Sequence, residues 1–377
     1  MEQNIPNCRS LGVSASLQSL GGFGTNDTNL VKGVAILLLL FHHLFYENPE
    51  AGPAILGMHP LHLAALAARV CVCIFVLLSG YGLASSNRRE ALPMFWRRRL
   101  VKLLLNYWLI WLLFVPVCVL GFGRSFQSVY ADHIPARVLL DLSGLQMVTG
   151  FHGYNATWWF VSLIIALYFL FPFLKAIIDA CGVYGLLLTV PLLFVVETKT
   201  LTHRVSFDFV LLWIFPFTLG IFSAKRNLFV ATSHFLAGSV PRRLTMLGVL
   251  ALMIGLILAQ RQFGPIVNGS RVDGPLSFLV VVGAFSTLSG KPILGRILEF
   301  LGAHSFNIFL FHTFIYGYFF PEFFLRSHAP LLSYVALLLA CVIISAALEW
   351  CKSNMGYSRF EAWLSGEKPR SSSIHGT

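Results

Sequence analysis

Long apolar stretches separated by short polar segments follow one another along the chain from residue 29 to residue 350. A hydrocarbon core about 30 Å thick is crossed by roughly 20 mostly apolar helical residues. The pattern therefore predicts an all-α fold, a polytopic membrane helix bundle of about ten transmembrane helices. The predicted spans are 29–47, 62–83, 100–122, 157–178, 183–197, 208–224, 244–260, 274–289, 297–320 and 331–350.

Polar segments flank this apolar region at both ends of the sequence. Residues 1–28 are rich in Ser, Gly and Asn and lack the basic tip and apolar run of a cleavable signal peptide. We therefore expect a flexible cytoplasmic N-terminal tail there. Residues 29–351 are expected to form one membrane domain without an internal repeat, and residues 352–377 a cytoplasmic C-terminal tail.

The distribution of Lys and Arg between the spans predicts the orientation, because basic residues collect on the cytoplasmic side of a membrane. With the N-terminus inside, alternating loops place most of the 27 Lys and Arg residues in the cytoplasm, including those at 88–102 and 225–243. Both termini are therefore expected in the cytoplasm.

The composition agrees with a membrane class. Hydrophobic residues make up 56% of the chain and charged residues 11%, and the mean hydropathy is +0.75, values typical of an integral membrane protein. Cytoplasmic Lys and Arg beside the spans account for the net charge of +11, so no nucleic-acid partner is expected. The seven cysteines lack metal-ligand spacing and are interpreted as packing residues, which predicts no metal site.

The stretch VKGVAILLLLFHH, residues 31–43, carries a lysine near its start and ends on two histidines. Eleven residues turn an α-helix by about 1100°, so Lys32 and His43 share one face within roughly 20°, whereas His42 points about 100° away. The same residues rise about 16 Å, which places a cation at the cytoplasmic edge and an imidazole deeper in the bilayer.

Structural explanations compete with a functional one at these positions. A lysine at the start of a span is typical of a snorkelling anchor, and a histidine near the outer end suits lipid headgroups. Two adjacent histidines cannot both face the bundle interior, so His42 is interpreted as structural. Ionisable groups inside a membrane are costly, which favours a function for His43.

Four further stretches carry recognisable motifs: FVLLSGYGL (75–83), FWRRRLVKLLLNYW (95–108), TWWFVSLIIALYFLFPF (157–173) and LGAHSFNIFLFH (301–312). Together with the basic residue and His of the first span, they resemble the acyltransferase 3 family, in the family's order and over nearly the whole membrane region. Members of that family are multi-spanning membrane enzymes that acylate, most often O-acetylate, sugars and surface polysaccharides.

The resemblance implies a membrane O-acyltransferase, a transferase of groups other than amino-acyl groups, in the plasma membrane. Such an enzyme moves acetyl from cytoplasmic acetyl-CoA, or another acyl group from its acyl-CoA, to a hydroxyl of a cell-surface or lipid-linked carbohydrate. The acyl-CoA is then a co-substrate, and no permanently bound cofactor is expected. The expected partners are acyl-CoA, the glycan acceptor and membrane lipids.

The resemblance also implies roles for particular residues. His43 is the catalytic candidate, as a general base or as an acylated relay. Lys32, Arg99 and Lys102 are the donor-binding candidates, because coenzyme A carries several phosphate charges. For Lys32, the pantetheine arm is also about as long as the rise from Lys32 to His43. The family usually has Arg where this chain has Lys32 and Lys102, and Pro where it has Leu105.

Four residues are further active-site candidates. Arg69 lies within the second predicted span, where a charge needs a partner or water, so we expect it to meet a substrate or a structural partner such as Glu299. Ser305 and His312 belong to the last motif, and Trp159 opens the fourth span with an aromatic face suited to a sugar.

Two other functions remain open at this stage. Ten spans with interior charges also suit a transporter or flippase for a lipid-linked sugar or small solute, although the sequence shows no inverted repeat. A redox protein with His43 and His312 as haem ligands is a third interpretation, which no other sequence feature supports.

Overall fold

The computed structural model describes residues 22–54, 59–86, 90–146, 153–195, 208–262 and 270–367, which are helical and contain no β-strand. Five helical segments there are long and apolar enough to cross a membrane: Thr25–Tyr46, Pro60–Ser85, Leu92–Gly121, Ala156–Cys181 and Pro330–Asn354. The helical membrane class is thus confirmed. The number of ten spans stays a prediction, and the described part of 183–197 holds only two short helices.

In chain order the α-helices are α1 (Thr25–Tyr46), α2 (Pro60–Ala68), α3 (Cys71–Ser85), α4 (Leu92–Gly121), α5 (Phe126–Tyr130), α6 (Ile134–Leu142), α7 (Trp159–Cys181), α8 (Val183–Leu187), α9 (Leu192–Val195), α10 (Asp208–Arg226), α11 (Leu228–Ala237), α12 (Val240–Gln262), α13 (Ser270–Leu288), α14 (Leu294–Thr313), α15 (Pro321–Leu325), α16 (Pro330–Asn354) and α17 (Tyr357–Ser365). A 3₁₀ turn, Ala156–Trp158, precedes α7, and a π-helix, Phe314–Phe319, continues α14.

Helices α1 and α14 approach until their backbones touch, and glycine permits this on both sides. A Cβ atom on Gly33 would lie 2.1 Å from the Leu298 carbonyl oxygen, and one on Gly302 would lie 1.7 Å from the Asn29 carbonyl oxygen. Gly33 meets Leu298 in the first half of both helices and His43 meets His312 near their ends, so the two helices run in the same direction. The same register carries on to their far ends, where the candidate site lies.

A second pair of helices, α3 and α10, also packs closely through a glycine on each side. A Cβ atom on Gly80 would lie 2.1 Å from the Phe217 carbonyl oxygen, and one on Gly220 would lie 2.0 Å from the Leu77 carbonyl oxygen. Ala84 and Ser85 at the end of α3 line one pocket with Ala224 and Lys225 at the end of α10, so these helices also run parallel to one another. The sequence alternation predicts both parallel pairs, because an even number of crossings separates predicted spans 1 and 9, and also spans 2 and 6.

The helical segment Pro60–Ser85 is broken near its middle. Helix α2 ends at Ala68 and α3 begins at Cys71, and between them Val70 N donates to Ala67 O (3.3 Å) in a tighter turn. Arg69 caps the first half. The break therefore places a charged side chain at a helix end inside the bundle.

Among the described residues, most of the Lys and Arg side chains gather at one end of the bundle, which we call the basic end. There the Tyr81 hydroxyl donates to Phe23 O (3.1 Å) and Lys225 Nζ to Asp179 O (2.9 Å). Arg97 Nε donates to Leu364 O (2.8 Å) at the same end. The opposite end carries His43 and the end of α14, and we call it the histidine end.

Both predicted tails are partly helical. Helix α1 begins at Thr25, whereas residues 1–21 lie outside the described part of the chain. In the C-terminal segment, α17 packs on α4, and buried Arg98 forms ion pairs with Glu90 and, at 3.6 Å, with Glu367. Arg98 thus joins α4 to the segment after α17.

Candidate active site

His43 lies in the last turn of α1, at the histidine end of the bundle. Its ring centroid is 5.0 Å from that of His312 in α14 and 6.4 Å from that of Tyr316 in the π-helix. The ring is half-buried, and no hydrogen bond to another described residue holds it. Within the described part of the chain, its nitrogen atoms are therefore not engaged by a hydrogen bond.

His312 is fully buried, and its contacts define the tautomer of its neutral ring. Nδ1 lies 3.0 Å from Ile308 O and 2.9 Å from Phe309 O. Carbonyl oxygens only accept hydrogen bonds, so Nδ1 carries the proton and Nε2 of the neutral ring presents a lone pair. This buried Nε2 has no hydrogen-bond partner within the described residues.

His42 makes a hydrogen bond to α2, although its ring centroid is 5.2 Å from that of His43. Its Nδ1 lies 2.7 Å from Ala65 O, which ties α1 to α2, and its ring centroid is 5.2 Å from that of Tyr46. A second histidine makes a similar contact between the same two helices, since His62 Nδ1 of α2 lies 3.1 Å from Phe45 O of α1. His42 is therefore bound to the backbone of the neighbouring helix.

Lys32 lies three turns before His43 on the same helix, toward the basic end. Its side chain is half-buried, and no carboxylate among the described residues forms an ion pair with it. A half-buried ammonium without a counter-ion is costly, so this position suits an anionic ligand.

Arg99 and Lys102 both lie in α4 but contact different neighbours. The Arg99 guanidinium stacks over the Phe95 ring at 5.9 Å and is half-buried, beside Tyr168 of α7. Lys102 is exposed and lies 3.7 Å from Glu361 and 4.0 Å from Glu367, near the C-terminal helix α17. The two donor-binding candidates on α4 thus face different parts of the basic end.

Arg69 pairs with an acidic residue, but not with the one considered from the sequence. Its Nε lies 3.0 Å from Asp273 Oδ2 at the start of α13, and Asp273 is buried. The suggestion of Glu299 was wrong, because the sequence does not reveal which of the helices packs beside the broken segment. The buried Asp273 carboxylate offsets much of the free-energy cost of placing the Arg69 guanidinium inside the bundle.

Ser305 and Trp159 lie apart from the histidine pair. The Ser305 hydroxyl donates to Gly302 O (2.7 Å) in its own helix, next to the close contact of α1 and α14. Trp159 packs against Trp213 of α10, with ring centroids 5.6 Å apart. Their active-site roles stay predictions.

Sequence reasoning missed a carboxylate and a tyrosine next to the histidines. The Tyr316 hydroxyl donates to Glu47 Oε1 (2.7 Å), and the ring centroids of Tyr316 and His312 are 6.0 Å apart. Glu47 follows His43 by one helical turn and Tyr316 follows His312 by one turn. That shared spacing of four residues was the available signal, and the register of α1 against α14 brings the two pairs together.

Two polar networks outside this cluster were also missed. At the basic end Lys352 Nζ donates to Asn307 Oδ1 (3.1 Å) and to Glu349 Oε1 (2.7 Å), beside a cavity of about 450 Å³. Beyond the histidine end, Asp141 of α6 accepts from Tyr130 and from the Tyr154 amide (2.7 and 3.0 Å). Burial raises the pKa of the Asp141 carboxyl, although these hydrogen bonds oppose the shift.

The arrangement is suited to proton transfer inside an apolar bundle. A neutral imidazole with an available nitrogen accepts a proton from a hydroxyl, and a second imidazole beside it offers a lone pair. No group of three His, Cys, Asp or Glu side chains among the described residues has the geometry of a metal site. The fold and the site thus define a membrane helix bundle with two neighbouring histidines near one end.

Comparison with known families identifies the class. Residues 26–350 match the model of an acyltransferase domain, the acyltransferase 3 family. Since this match covers most of the chain, the protein belongs to that family and is a membrane acyltransferase, which confirms the resemblance of its motifs. Searches of proteins with curated functions and of solved structures gave no match.

Proposed function

We propose that the protein is an O-acyltransferase of the plasma membrane that moves an acetyl group from cytoplasmic acetyl-CoA to a hydroxyl of a cell-surface or lipid-linked carbohydrate. The observation that carries this proposal is the half-buried His43 ring, 5.0 Å from a histidine whose buried Nε2 lacks a partner in the described part of the chain. Membership of the family supplies the acyl-transfer chemistry.

In the proposed reaction His43 takes the proton of the acceptor hydroxyl while the hydroxyl oxygen attacks the thioester carbonyl carbon. The carbon–sulfur bond then breaks, and His43 returns the proton to the leaving thiolate, so that an ester and free coenzyme A result. His312 positions the reacting groups through its Nε2 lone pair. Acylation of His43 itself is the alternative, with the acyl-imidazole then attacked by the hydroxyl.

Donor binding is proposed along the face of α1 that carries Lys32. The phosphates of coenzyme A are anionic, and Lys32 is a half-buried cation without an ion-pair partner among the described residues. Arg99 is the second proposed contact. Lys102 would have to exchange its contacts with Glu361 and Glu367 for a phosphate, which is feasible because these pairs are 3.7 and 4.0 Å long and the lysine is exposed.

Purified protein in lipid vesicles with radiolabelled acetyl-CoA tests the proposal. We expect release of free coenzyme A and formation of ester-linked acetate, and the O-acetyl content of surface glycans should fall in cells that lack the gene. Transport of a sugar without any use of acetyl-CoA would instead support the transporter interpretation. Stable label on His43 from acetyl-CoA alone would favour the relay over the base.

A pair of variants tests the role of His312. In His312→Gln the side-chain amide reaches about as far as Nε2, whereas in His312→Asn it reaches only as far as Nδ1. If the lone pair at Nε2 matters, transfer should fall by about 100-fold in the Asn variant and less in the Gln variant. Equal activities of the two variants at equal abundance would remove Nε2 from the mechanism.

A further inference from the structure

Glu47 is an acidic side chain next to the histidine pair, and Tyr316 holds it in position. It follows His43 by one turn, so its Cα lies about 6 Å further along the axis of α1. The Tyr316 hydroxyl donates to Glu47 Oε1 at 2.7 Å. Tyr316 itself is fully buried, with its ring centroid 6.4 Å from that of His43.

The backbone that carries Tyr316 is unusual. Helix α14 widens into the π-helix Phe314–Phe319 directly after His312 and Thr313. Such wider turns are rare, and they occur frequently at functional sites because they shift the direction of the following side chains. Here the π-helix carries Tyr316 beside the end of α1. The Tyr316 hydroxyl therefore reaches Glu47 and holds one of its carboxylate oxygens.

The rest of the Glu47 carboxylate is open to a ligand. The side chain is exposed, and no described residue other than Tyr316 forms a hydrogen bond or an ion pair with it. A carboxylate accepts about four hydrogen bonds, so at least two acceptor positions remain. The nearby cation Arg124 is already engaged, because it donates to Tyr154 O (3.2 Å) and stacks over the Tyr318 ring at 4.1 Å.

We infer that Glu47, positioned by Tyr316, binds the acceptor at the histidine end of the bundle. Its exposed oxygen accepts hydrogen bonds from the hydroxyls of a polyhydroxylated ligand of the carbohydrate class, while a further hydroxyl of the same ligand faces His43. Hydrogen bonds to an ionised acceptor are stronger than those between neutral groups, which suits the selection of a ligand with several hydroxyls. The inference rests on the proposed function and assigns its acceptor site.

The experiment compares Glu47→Gln and Tyr316→Phe with wild type in lipid vesicles, with radiolabelled acetyl-CoA as donor and octyl glucoside as the acceptor probe. Glu47→Gln should raise the KM for the glucoside by about tenfold, because a charge-assisted bond is lost. Tyr316→Phe should raise it by about threefold. Neither variant should change the KM for acetyl-CoA or its hydrolysis in the absence of an acceptor.

Tyr334→Phe is the matched control. Tyr334 also donates to α1, at Leu37 O (3.0 Å), but outside the histidine cluster, so its loss should leave both KM values unchanged. An unchanged glucoside KM in Glu47→Gln would overturn the inference, as would an equal loss of hydrolysis and transfer, which indicates a structural role. Wild-type protein that hydrolyses acetyl-CoA but acetylates neither the glucoside nor surface glycans would also overturn it. Wild-type protein without any use of acetyl-CoA would overturn the proposed function instead.

Discussion

At the scale of single residues, the two adjacent histidines illustrate what helix geometry predicts. Adjacent residues of an α-helix point in different directions. His42 accordingly bonds to Ala65 O, whereas His43 faces His312. The partners themselves were not predictable, because His312 and Glu47 meet through the packing of helices far apart in sequence. For the same reason the sequence did not reveal Asp273 as the partner of Arg69.

The two histidines should therefore differ in their effects on activity. His43→Ala should abolish acetyl transfer, because it removes the proposed base, whereas His42→Ala should retain substantial activity and lose about 1 kcal/mol of stability with its hydrogen bond to α2. Transfer by purified variants and their thermal unfolding would measure both effects. Equal losses of activity at equal protein abundance would contradict the assignment.

Lys32 offers a second prediction at this scale. If it contacts a phosphate of coenzyme A, Lys32→Ala should weaken donor binding by about ten- to a hundred-fold, because a charge-assisted bond costs roughly 1.5 to 3 kcal/mol to remove. Lys32→Arg should retain activity, since the charge and approximate reach survive. Kinetics at varied acetyl-CoA, after a check of membrane insertion, would measure this. Normal donor affinity in an inserted Ala variant would exclude Lys32 from the site.

At the scale of helices, the site depends on the contact between α1 and α14. The apolar pattern predicts both helices, and the alternation of spans predicts that they run in the same direction. The apolar pattern does not predict the register of the two helices, because backbone contacts at Gly33 and Gly302 set it. That register decides which side chains meet at the histidine end, and a different one would separate His43 from His312.

Substitution of these glycines should therefore affect activity from a distance of several turns. A Cβ atom at Gly33 would lie 2.1 Å from Leu298 O, so Gly33→Ala should force the helices apart and destabilise the protein by about 1 to 3 kcal/mol. Acetyl transfer should fall as well, since His43 and His312 move relative to one another. Thermal unfolding in detergent and transfer assays would measure both.

Gly82→Ala is the control for this prediction. Gly82 also lies in a membrane helix, α3, but a Cβ atom there would meet nothing within 4 Å. Alanine is the better helix former, so this variant should be as stable as wild type or slightly more stable. A Gly33→Ala variant that matched Gly82→Ala in stability and activity would show that the close contact does not set the register.

At the scale of the whole molecule, the positive-inside pattern predicts which loops lie at the same end of the bundle. The clusters at Arg97–Lys102 and Lys225 are far apart in sequence, yet they lie at one end of the bundle, together with Lys352. What the sequence did not predict is that part of the C-terminal tail folds back as α17 onto α4. That contact depends on Glu361 and Glu367 meeting Arg98 and Lys102, and such long-range ion pairs leave no local pattern.

The orientation follows from this end-to-end asymmetry and can be measured with cysteines. Cys181 and Cys351 are exposed at the basic end, and Leu139 of α6 is 68% exposed near the histidine end. If the basic end is cytoplasmic, a membrane-impermeant maleimide should label Leu139→Cys on intact cells but reach Cys181 and Cys351 only after permeabilisation. Replacement of these two exposed cysteines by serine lowers the background for the Leu139→Cys measurement. Labelling of Leu139→Cys from the cytoplasmic side alone would reverse the topology, and it would place the acceptor site around Glu47 in the same compartment as acetyl-CoA.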